Sequence, residues 1–189
     1  MIAILLGPPG VGKGTQAARA AEARGWQHLS TGELLRSEVA AGSELGRKAD
    51  AFMGRGDLVP DELMVAMVAS RVAEVAADEV LLLDGFPRTL PQAQALAEAA
   101  PGGSVGLAVY FTAPDAVLVE RLMGRGRADD TREVIEHRLA VYRETTEPLV
   151  AWYRDLGLLC EVRSDRAVEE IQPEFQDAVH NRLEETARS

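Results

Sequence analysis

A glycine-rich run at residues 7–15 constrains this chain more than any other segment. It follows directly on the apolar run Ile2–Leu6 and leads into a helical pattern at residues 15–24. Because glycine has no side chain, successive backbone N–H groups in such a turn face one anionic centre, and the helix that follows adds the positive end of its dipole. The run therefore predicts a strand, a phosphate-binding loop and a helix, in that order.

The spacing within this run fits a P-loop. Gly7, Gly12 and Lys13 fall at the required places, although Gly14 occupies the usual Ser/Thr place and Thr15 follows. Apart from Lys13 and Lys48, every basic residue of the chain is an arginine. A compact ammonium group is not interchangeable with a planar guanidinium, so the lysine at this place indicates contact with the phosphates of a nucleotide. The alternative is a tight strand-to-helix turn that binds no ligand.

Strand-like and helical patterns alternate along the rest of the chain. This alternation predicts an α/β fold, in which a parallel sheet is covered by helices on both faces and ligands bind at the carboxyl ends of the strands. The predicted strands are residues 2–6, 26–29, 80–83, 106–111 and 158–162, of which 26–29 has the weakest pattern. The predicted helices are residues 15–24, 33–41, 44–53, 61–77, 90–100, 114–123, 132–156 and 168–186.

An acidic residue, Asp84, follows the strand predicted at residues 80–83. A carboxylate at the tip of a buried strand beside the P-loop strand is placed to hold Mg²⁺ through water. A helix cap or an ordinary loop carboxylate is the alternative interpretation. We expect Mg²⁺ here, brought in with the nucleotide.

The composition argues against several function classes. Thirty acidic residues against twenty basic ones leave a formal charge of −10, which disfavours a general nucleic-acid binder because such proteins need a basic surface. Cys160 is the one cysteine, so neither an internal disulfide nor a cysteine-based zinc site is expected. The histidines show no metal-ligand spacing. With no secretory leader pattern and no membrane-spanning run, we expect a cytoplasmic protein with no membrane partner.

The segment that begins at Asp84 adds a second motif to the P-loop. It reads DGFPRT (84–89), and it follows GPPGVGKGTQ (7–16), LSTGELLR (29–36) and GDLVP (56–60). These motifs, with an arginine-rich stretch that ends in Asp129 and Asp130, resemble adenylate kinases in order and spacing over essentially the whole chain. The resemblance implies a three-layer α/β/α P-loop fold with a five-stranded parallel sheet. It also implies reversible phosphoryl transfer, ATP + AMP = 2 ADP, by a monomer that uses Mg²⁺ and no zinc.

The resemblance also divides the chain. It implies a core domain at residues 1–29, 60–123 and 131–189, a helical AMP-binding segment at residues 30–59 and a short lid at residues 124–130. Closure of the lid would exclude water, which competes with AMP as acceptor. The hinge candidates are Gly54, Gly56, Gly124 and Gly126.

Site residues can be taken over from the family position by position. Arg36 and Arg88 would bind the AMP phosphate, and Gln92 would read the adenine edge, because an amide both donates and accepts hydrogen bonds. The residues implied for ATP are Gly10, Val11, Gly12, Lys13, Gly14, Thr15, Arg125 and Arg166. Those implied for AMP are Thr31, Arg36, Asp57, Leu58, Val59, Gly85, Phe86, Pro87, Arg88, Gln92, Arg127 and Arg138. Those implied for catalysis are Lys13, Arg88, Arg125, Arg127, Asp129 and Arg138.

These assignments have plainer alternatives. Gln92 also fits a capping box with Thr89 at the start of a helix. Arg88 also fits an ion pair with a surface carboxylate. Arg125 and the arginines near it also fit a solvated charged loop, and Arg138 fits an ordinary i,i+4 pair on a helix.

Two other functions stay open at this point. A UMP/CMP kinase shares much of the motif set, but Thr31 and residues 89–92 follow the adenylate pattern. A nucleotide-dependent switch would bind at the P-loop without transferring phosphate, and the acceptor-site residues argue against it.

Overall fold

The structure is a computed structural model and describes residues 1–76, 78–100, 104–127 and 130–188. Its strands are β1 (Ile2–Leu6), β2 (Gln27–Ser30), β3 (Leu81–Asp84), β4 (Val105–Thr112) and β5 (Leu159–Arg163). They form one parallel sheet in the order β2-β3-β1-β4-β5. The helices are α1 (Lys13–Arg24), α2 (Thr31–Ala41), α3 (Glu44–Arg55), α4 (Asp61–Val72), α5 (Leu90–Ala99), α6 (Asp115–Arg125), α7 (Arg132–Val141), α8 (Pro148–Asp155) and α9 (Val168–Arg188). The predicted α/β fold with a five-stranded parallel sheet is confirmed.

The central strand, β1, determines where the functional segments leave the sheet. Each of its residues is at most 2% exposed. The parallel register pairs Leu5 with Asp84 of β3, and it pairs Asp84 with Ser30 of β2. The segments that follow these three strands therefore start side by side at the carboxyl edge of the sheet.

Helices cover both faces of the sheet. Successive residues of β1 point to opposite faces, so Ile4 belongs to one buried apolar cluster and Leu5 to the other. The cluster around Ile4 includes residues of α2, α3, α4, α5 and α8, and the cluster around Leu5 includes residues of α1, α6, α7 and α9. The chain therefore has three layers, with the sheet in the middle.

Side-chain caps explain where several helices begin. Ser30 caps α2 by accepting a hydrogen bond from the N–H of Glu33, and α2 begins at Thr31, two residues before its predicted start. Helices α1 and α2 are followed by Gly25 and Gly42, which both have positive φ and stop the helices.

Two predicted helices were too long. The pattern at residues 61–77 is helical only to Val72, after which Glu79 accepts a hydrogen bond from the N–H of Ala76 and the chain turns toward β3. The pattern at residues 132–156 divides into α7, a π-helical turn at Tyr142–Thr146, and α8. Pro148 accounts for the break, because proline has no N–H and its ring clashes with the preceding helical turn.

Gly46 marks the closest approach of α2 and α3. A Cβ at this position would lie 2.1 Å from the carbonyl oxygen of Glu38, so no side chain fits between the helices.

We predict that Gly46→Ala lowers the free energy of unfolding by about 1–3 kcal/mol, as measured by urea denaturation. Gly54→Ala in the same helix is the matched control, since nothing lies within 4 Å of its Cβ position. Alanine there should raise the free energy of unfolding by about 0.5–1 kcal/mol. Equal losses at both positions would contradict this account.

Candidate active site

An open cleft of about 1230 Å³ lies at the carboxyl edge of the sheet, and the P-loop forms part of its wall. The side chain of Phe86 is 1% exposed and packs in the apolar cluster beneath the cleft. Asp129 lies outside the described residues. The predicted site residues that line the cleft are Gly10, Val11, Gly12, Lys13, Gly14, Thr15, Thr31, Arg36, Asp57, Leu58, Val59, Asp84, Gly85, Pro87, Arg88, Gln92, Arg125, Arg127, Arg138 and Arg166.

The P-loop is held close to two neighbouring elements. Gly7 has a φ of 141°, and a Cβ there would lie 2.5 Å from the carbonyl oxygen of Phe111 in β4. Gly10 has a φ of 85°, and a Cβ there would lie 2.8 Å from the carbonyl oxygen of Leu118 in α6. Both positions therefore require glycine. Lys13 Nζ donates to the carbonyl oxygen of Gly7 at 2.6 Å, so its ammonium group folds back onto the loop.

The ammonium group of Lys13 lies among other cations. The pKa of Lys13 is lowered to about 8, mainly by burial; Arg88 and Arg125 contribute to this shift, and the charge of Asp84 opposes it. A buried cation in such surroundings is stabilised strongly by any anion that reaches it. The P-loop end of the cleft therefore favours phosphate.

Asp84 places a negative charge beside the P-loop. Burial opposes its ionisation, but His28, Lys13 and Arg88 favour it, and the balance lowers the pKa of its carboxyl group. The Nε2 atom of His28 lies 3.9 Å from Oδ2 of Asp84, beyond direct hydrogen-bond distance, so it acts through charge or dipole. A Cβ on Gly14 would lie 3.1 Å from the same Oδ2, so glycine at this place lets the carboxylate approach the loop.

Guanidinium groups converge at the other end of the cleft. Arg88 Nε donates to the carbonyl oxygen of Gly85 at 2.8 Å. Burial lowers the pKa of Arg88, Asp84 opposes this shift, and Arg138 and Arg36 lower the pKa further. Cations that repel one another in this way attract an anion such as a phosphate group.

The start of α2 is attached to the tip of β3. Thr31 Oγ1 donates to the carbonyl oxygen of Asp84 at 3.2 Å. Gly85 has a φ of 83°, and a Cβ there would lie 2.6 Å from Thr31 Oγ1. The motifs at residues 29–36 and 84–89 are therefore in direct contact.

The amide group of Gln92 makes two side-chain hydrogen bonds. Its Oε1 accepts from the N–H of Arg88 at 2.7 Å, and its Nε2 donates to Oδ1 of Asp61 at 2.7 Å. Thr89 caps α5 by accepting from the N–H of Gln92 at 3.3 Å, as the capping alternative predicts. The amide reaches the N–H of Arg88 rather than that of Thr89, and it also lines the cleft. The two interpretations of Gln92 are thus compatible.

The carboxylate of Asp130 contacts three arginines that line the cleft. Its side chain is 2% exposed, and it accepts from Arg125 at 2.5 and 2.8 Å and from Arg138 at 3.2 Å. The N–H of Arg127 also donates to it, at 3.3 Å. The side chains of Arg125 and Arg138 are 30% and 17% exposed, so the ion pairs around Asp130 are partly shielded from water.

Comparisons with known proteins agree with this geometry. The family model described as adenylate kinase matches residues 5–158. The adenylate kinase of Parasynechococcus marenigrum (strain WH8102) is 54% identical over 170 residues, which are 89% of this chain and 92% of the relative. That of Synechococcus sp. (strain CC9902) is 52% identical with the same coverage. That of Mycobacteroides abscessus is 48% identical over 82% of this chain and 87% of the relative. The chain belongs to the adenylate kinase family.

Membership of the adenylate kinase family confirms the resemblance drawn from the motifs and makes the protein a nucleoside monophosphate kinase, a phosphotransferase. The relatives named above carry the name adenylate kinase, which disfavours the UMP/CMP kinase alternative. The roles of individual site residues stay predictions.

Arg121 and Thr146 are among the polar residues that line the cleft but were not predicted from the sequence. Arg121 donates to the carbonyl oxygen of Val11 at 3.4 Å, and its place one helical turn before Arg125 on α6 was a usable signal. Thr146 in the π turn donates to the carbonyl oxygen of Arg88 at 2.9 Å, and no local pattern indicated it.

Arg166 lines the far side of the cleft, before α9. It donates to the carbonyl oxygen of Arg163 at 2.9 Å and pairs with Glu174.

Within residues 1–76, 78–100, 104–127 and 130–188, no group of three or more His, Cys, Asp or Glu side chains is arranged to hold a metal ion. No helix in the described part of the chain is long and apolar enough to cross a membrane.

The lowered pKa of Lys13 predicts a pH dependence of ATP capture. In the free enzyme Lys13 loses its charge as the pH rises through about 8, so kcat/KM for ATP should fall up to about tenfold per pH unit above that value. Bound phosphates raise the pKa again, so kcat should persist to higher pH. Steady-state kinetics at saturating AMP measure both quantities. In Lys13→Met, the fall in kcat/KM above about pH 8 should be absent. A kcat/KM of the wild-type enzyme that stays level to about pH 10 would contradict the prediction.

Proposed function

We propose that the enzyme transfers the γ-phosphoryl group of ATP reversibly to AMP, giving two ADP, and so maintains the balance of the adenine nucleotides. The observation that carries this proposal is the arrangement of charge in one cleft. Lys13 lies on the P-loop, the Arg36–Arg88 pair lies at the acceptor end, and Arg88 is near enough to lower the pKa of Lys13. Phosphate groups bound at the two ends would face each other, as in-line transfer requires.

On the ATP side, the backbone N–H groups of residues 10–15 and the N-terminus of α1 would hold the β- and γ-phosphates. Lys13 would exchange its hydrogen bond to the carbonyl oxygen of Gly7 for one to a phosphate oxygen. Arg125 would bind ATP from α6, and Arg166 would lie near the adenine.

On the AMP side, Arg36 and Arg88 would bind the phosphate group, with Thr31 and residues 85–87 shaping the pocket around it. Residues 57–59 and Gln92 would contact the adenine. Arg127 and Arg138 would neutralise charge on the phosphoryl group as it moves, because charge spreads over its equatorial oxygens in the transition state.

Mg²⁺ fits the surroundings of Asp84. The carboxylate is held ionised beside the P-loop, and Gly14 leaves it room to face the phosphates. Asp84 would hold the ion through water, and since the described residues offer no cluster of metal ligands, the direct ligands would be phosphate oxygens and water, which is the usual arrangement for Mg²⁺. When bound with ATP, Mg²⁺ neutralises charge on the phosphates.

The proposal includes the division into a core, an AMP-binding segment at residues 30–59 and a lid at residues 124–130. The AMP-binding segment is in contact with α7, because Arg138 donates to the carbonyl oxygen of Met53 at 3.3 Å and His137 pairs with Asp57 at 2.7 Å. Asp130 would hold Arg125 and Arg138 in position while the lid excludes water. We also propose that the enzyme acts as a cytoplasmic monomer without nucleic-acid partners, the last supported by its formal charge of −10.

Replacement of Lys13 tests the transfer mechanism. We predict that Lys13→Met lowers kcat by about 10²–10³-fold, because one preorganised donor to the transition state is lost. The fold should stay intact, as judged by circular dichroism. Lys48→Met is the matched control, since Lys48 pairs with Glu44 on the exposed face of α3 and should keep full activity. Near-normal turnover in Lys13→Met would contradict the assignment.

A panel of acceptors tests the substrate. A coupled assay that offers ATP with AMP, CMP, UMP or GMP separately should show the highest kcat/KM for AMP. A preference for CMP or UMP would indicate a pyrimidine nucleotide kinase. Transfer to none of the four would indicate a nucleotide-dependent switch.

A further inference from the structure

Asp61 lies behind the amide group of Gln92. It is the first residue of α4, and its carboxylate accepts from Gln92 Nε2 at 2.7 Å and from Thr89 Oγ1 at 2.8 Å. Gln92 lines the cleft, whereas Asp61 is not among the lining residues. Any effect of Asp61 on a ligand in the cleft would therefore be exerted through Gln92.

The partners of Gln92 determine which end of its amide is oxygen and which is nitrogen. Oε1 accepts from the N–H of Arg88, and Nε2 donates to Asp61. If the amide rotated by half a turn, Nε2 would face an N–H donor and Oε1 would face a carboxylate, so both hydrogen bonds would be lost. Gln92 is 2% exposed, so water cannot replace them easily.

A fixed amide discriminates between purines. Adenine carries an amino donor at C6 beside a ring nitrogen that accepts. Hypoxanthine and guanine carry a carbonyl acceptor at C6 beside a ring N–H that donates, which is the reversed pattern. An amide whose donor and acceptor are held in place reads one pattern, whereas an amide that is free to turn reads both.

We propose that Asp61 is a positioning residue that determines acceptor specificity, by fixing the amide of Gln92 in the orientation that selects adenine over 6-oxopurines. The inference rests on the proposed contact of Gln92 with the acceptor base. The carboxylate is suited to this task because it only accepts hydrogen bonds, so it rejects the turned amide.

Asp61→Asn tests the inference with little change in size. The asparagine nitrogen can donate to Oε1 of a turned Gln92, so position 61 no longer opposes the second orientation and only the N–H of Arg88 does. We expect the ratio of kcat/KM for AMP to that for IMP to fall about tenfold or more, within the range typical of a bidentate base contact. KM for AMP should rise, while kcat at saturating AMP and KM for ATP stay within about twofold.

Glu62→Gln is the matched control. Glu62 is exposed, follows Asp61 in the first turn of α4, and contributes the same charge to the helix N-terminus. Its AMP-to-IMP ratio should equal that of the wild type. A fall of equal size in both variants would assign the effect to the helix and overturn the inference.

Gln92→Leu separates this inference from the proposed function. If Gln92→Leu lowers the ratio and Asp61→Asn does not, the positioning role is wrong and the assignment of Gln92 stands. If neither variant lowers the ratio, Gln92 does not read the base, and both statements are wrong.

A measurement on the wild-type enzyme keeps the inference testable if Asp61→Asn does not fold. In ¹⁵N NMR spectra, the side-chain NH₂ of Gln92, identified by its absence in Gln92→Leu, should exchange with solvent much more slowly than the exposed glutamine amides. Exchange as fast as that of the exposed amides would overturn the inference.

Discussion

The parallel pairing of β1 with β3 and β4 determines where the charged groups of the cleft lie. Because Leu5 is in register with Asp84, and Asp84 with Ser30, the P-loop, the DGFPRT segment and the start of α2 leave the sheet at one level. The P-loop then passes so close to the carbonyl oxygen of Phe111 that only glycine fits at position 7. The donor and acceptor ends of the cleft thus follow from a single arrangement of buried strands.

The cleft concentrates cations in a chain that is acidic overall. Arg88 lowers the pKa of Lys13 and Arg138 lowers the pKa of Arg88, in each case adding to the effect of burial, while the charge of Asp84 opposes both shifts. The folded, ligand-free protein therefore keeps these cations close together, and an anionic ligand relieves the repulsion between them when it binds. This explains how a protein with a formal charge of −10 selects polyanionic substrates without a basic surface.

The limits of sequence reasoning follow from the range of each interaction. Buried runs such as Ile2–Leu6 and local capping patterns such as that of Thr89 depend on neighbours in the chain, so the sheet, most helices and the P-loop were predictable. Sequence alone does not tell that Asp130 turns toward Arg125 and Arg138. The partnership of Gln92 with Asp61 spans 31 positions and has no local signature. The division of the pattern at 132–156 required weighing Pro148 against an otherwise helical segment.

The π turn at Tyr142–Thr146 has a mechanical consequence. Helix α7 packs in the apolar cluster on one face of the sheet through Ile135, whereas α8 packs in the cluster on the opposite face through Leu149. The turn carries the chain from one face of the sheet to the other, and the residues at its two ends, Tyr142 and Thr146, line the cleft. The π turn therefore connects the helical layers on the two faces of the sheet. Deletion of one residue there would rotate α8 by about 100° and remove Leu149 from its layer, so this stretch should be far less tolerant of changes in length than a surface loop.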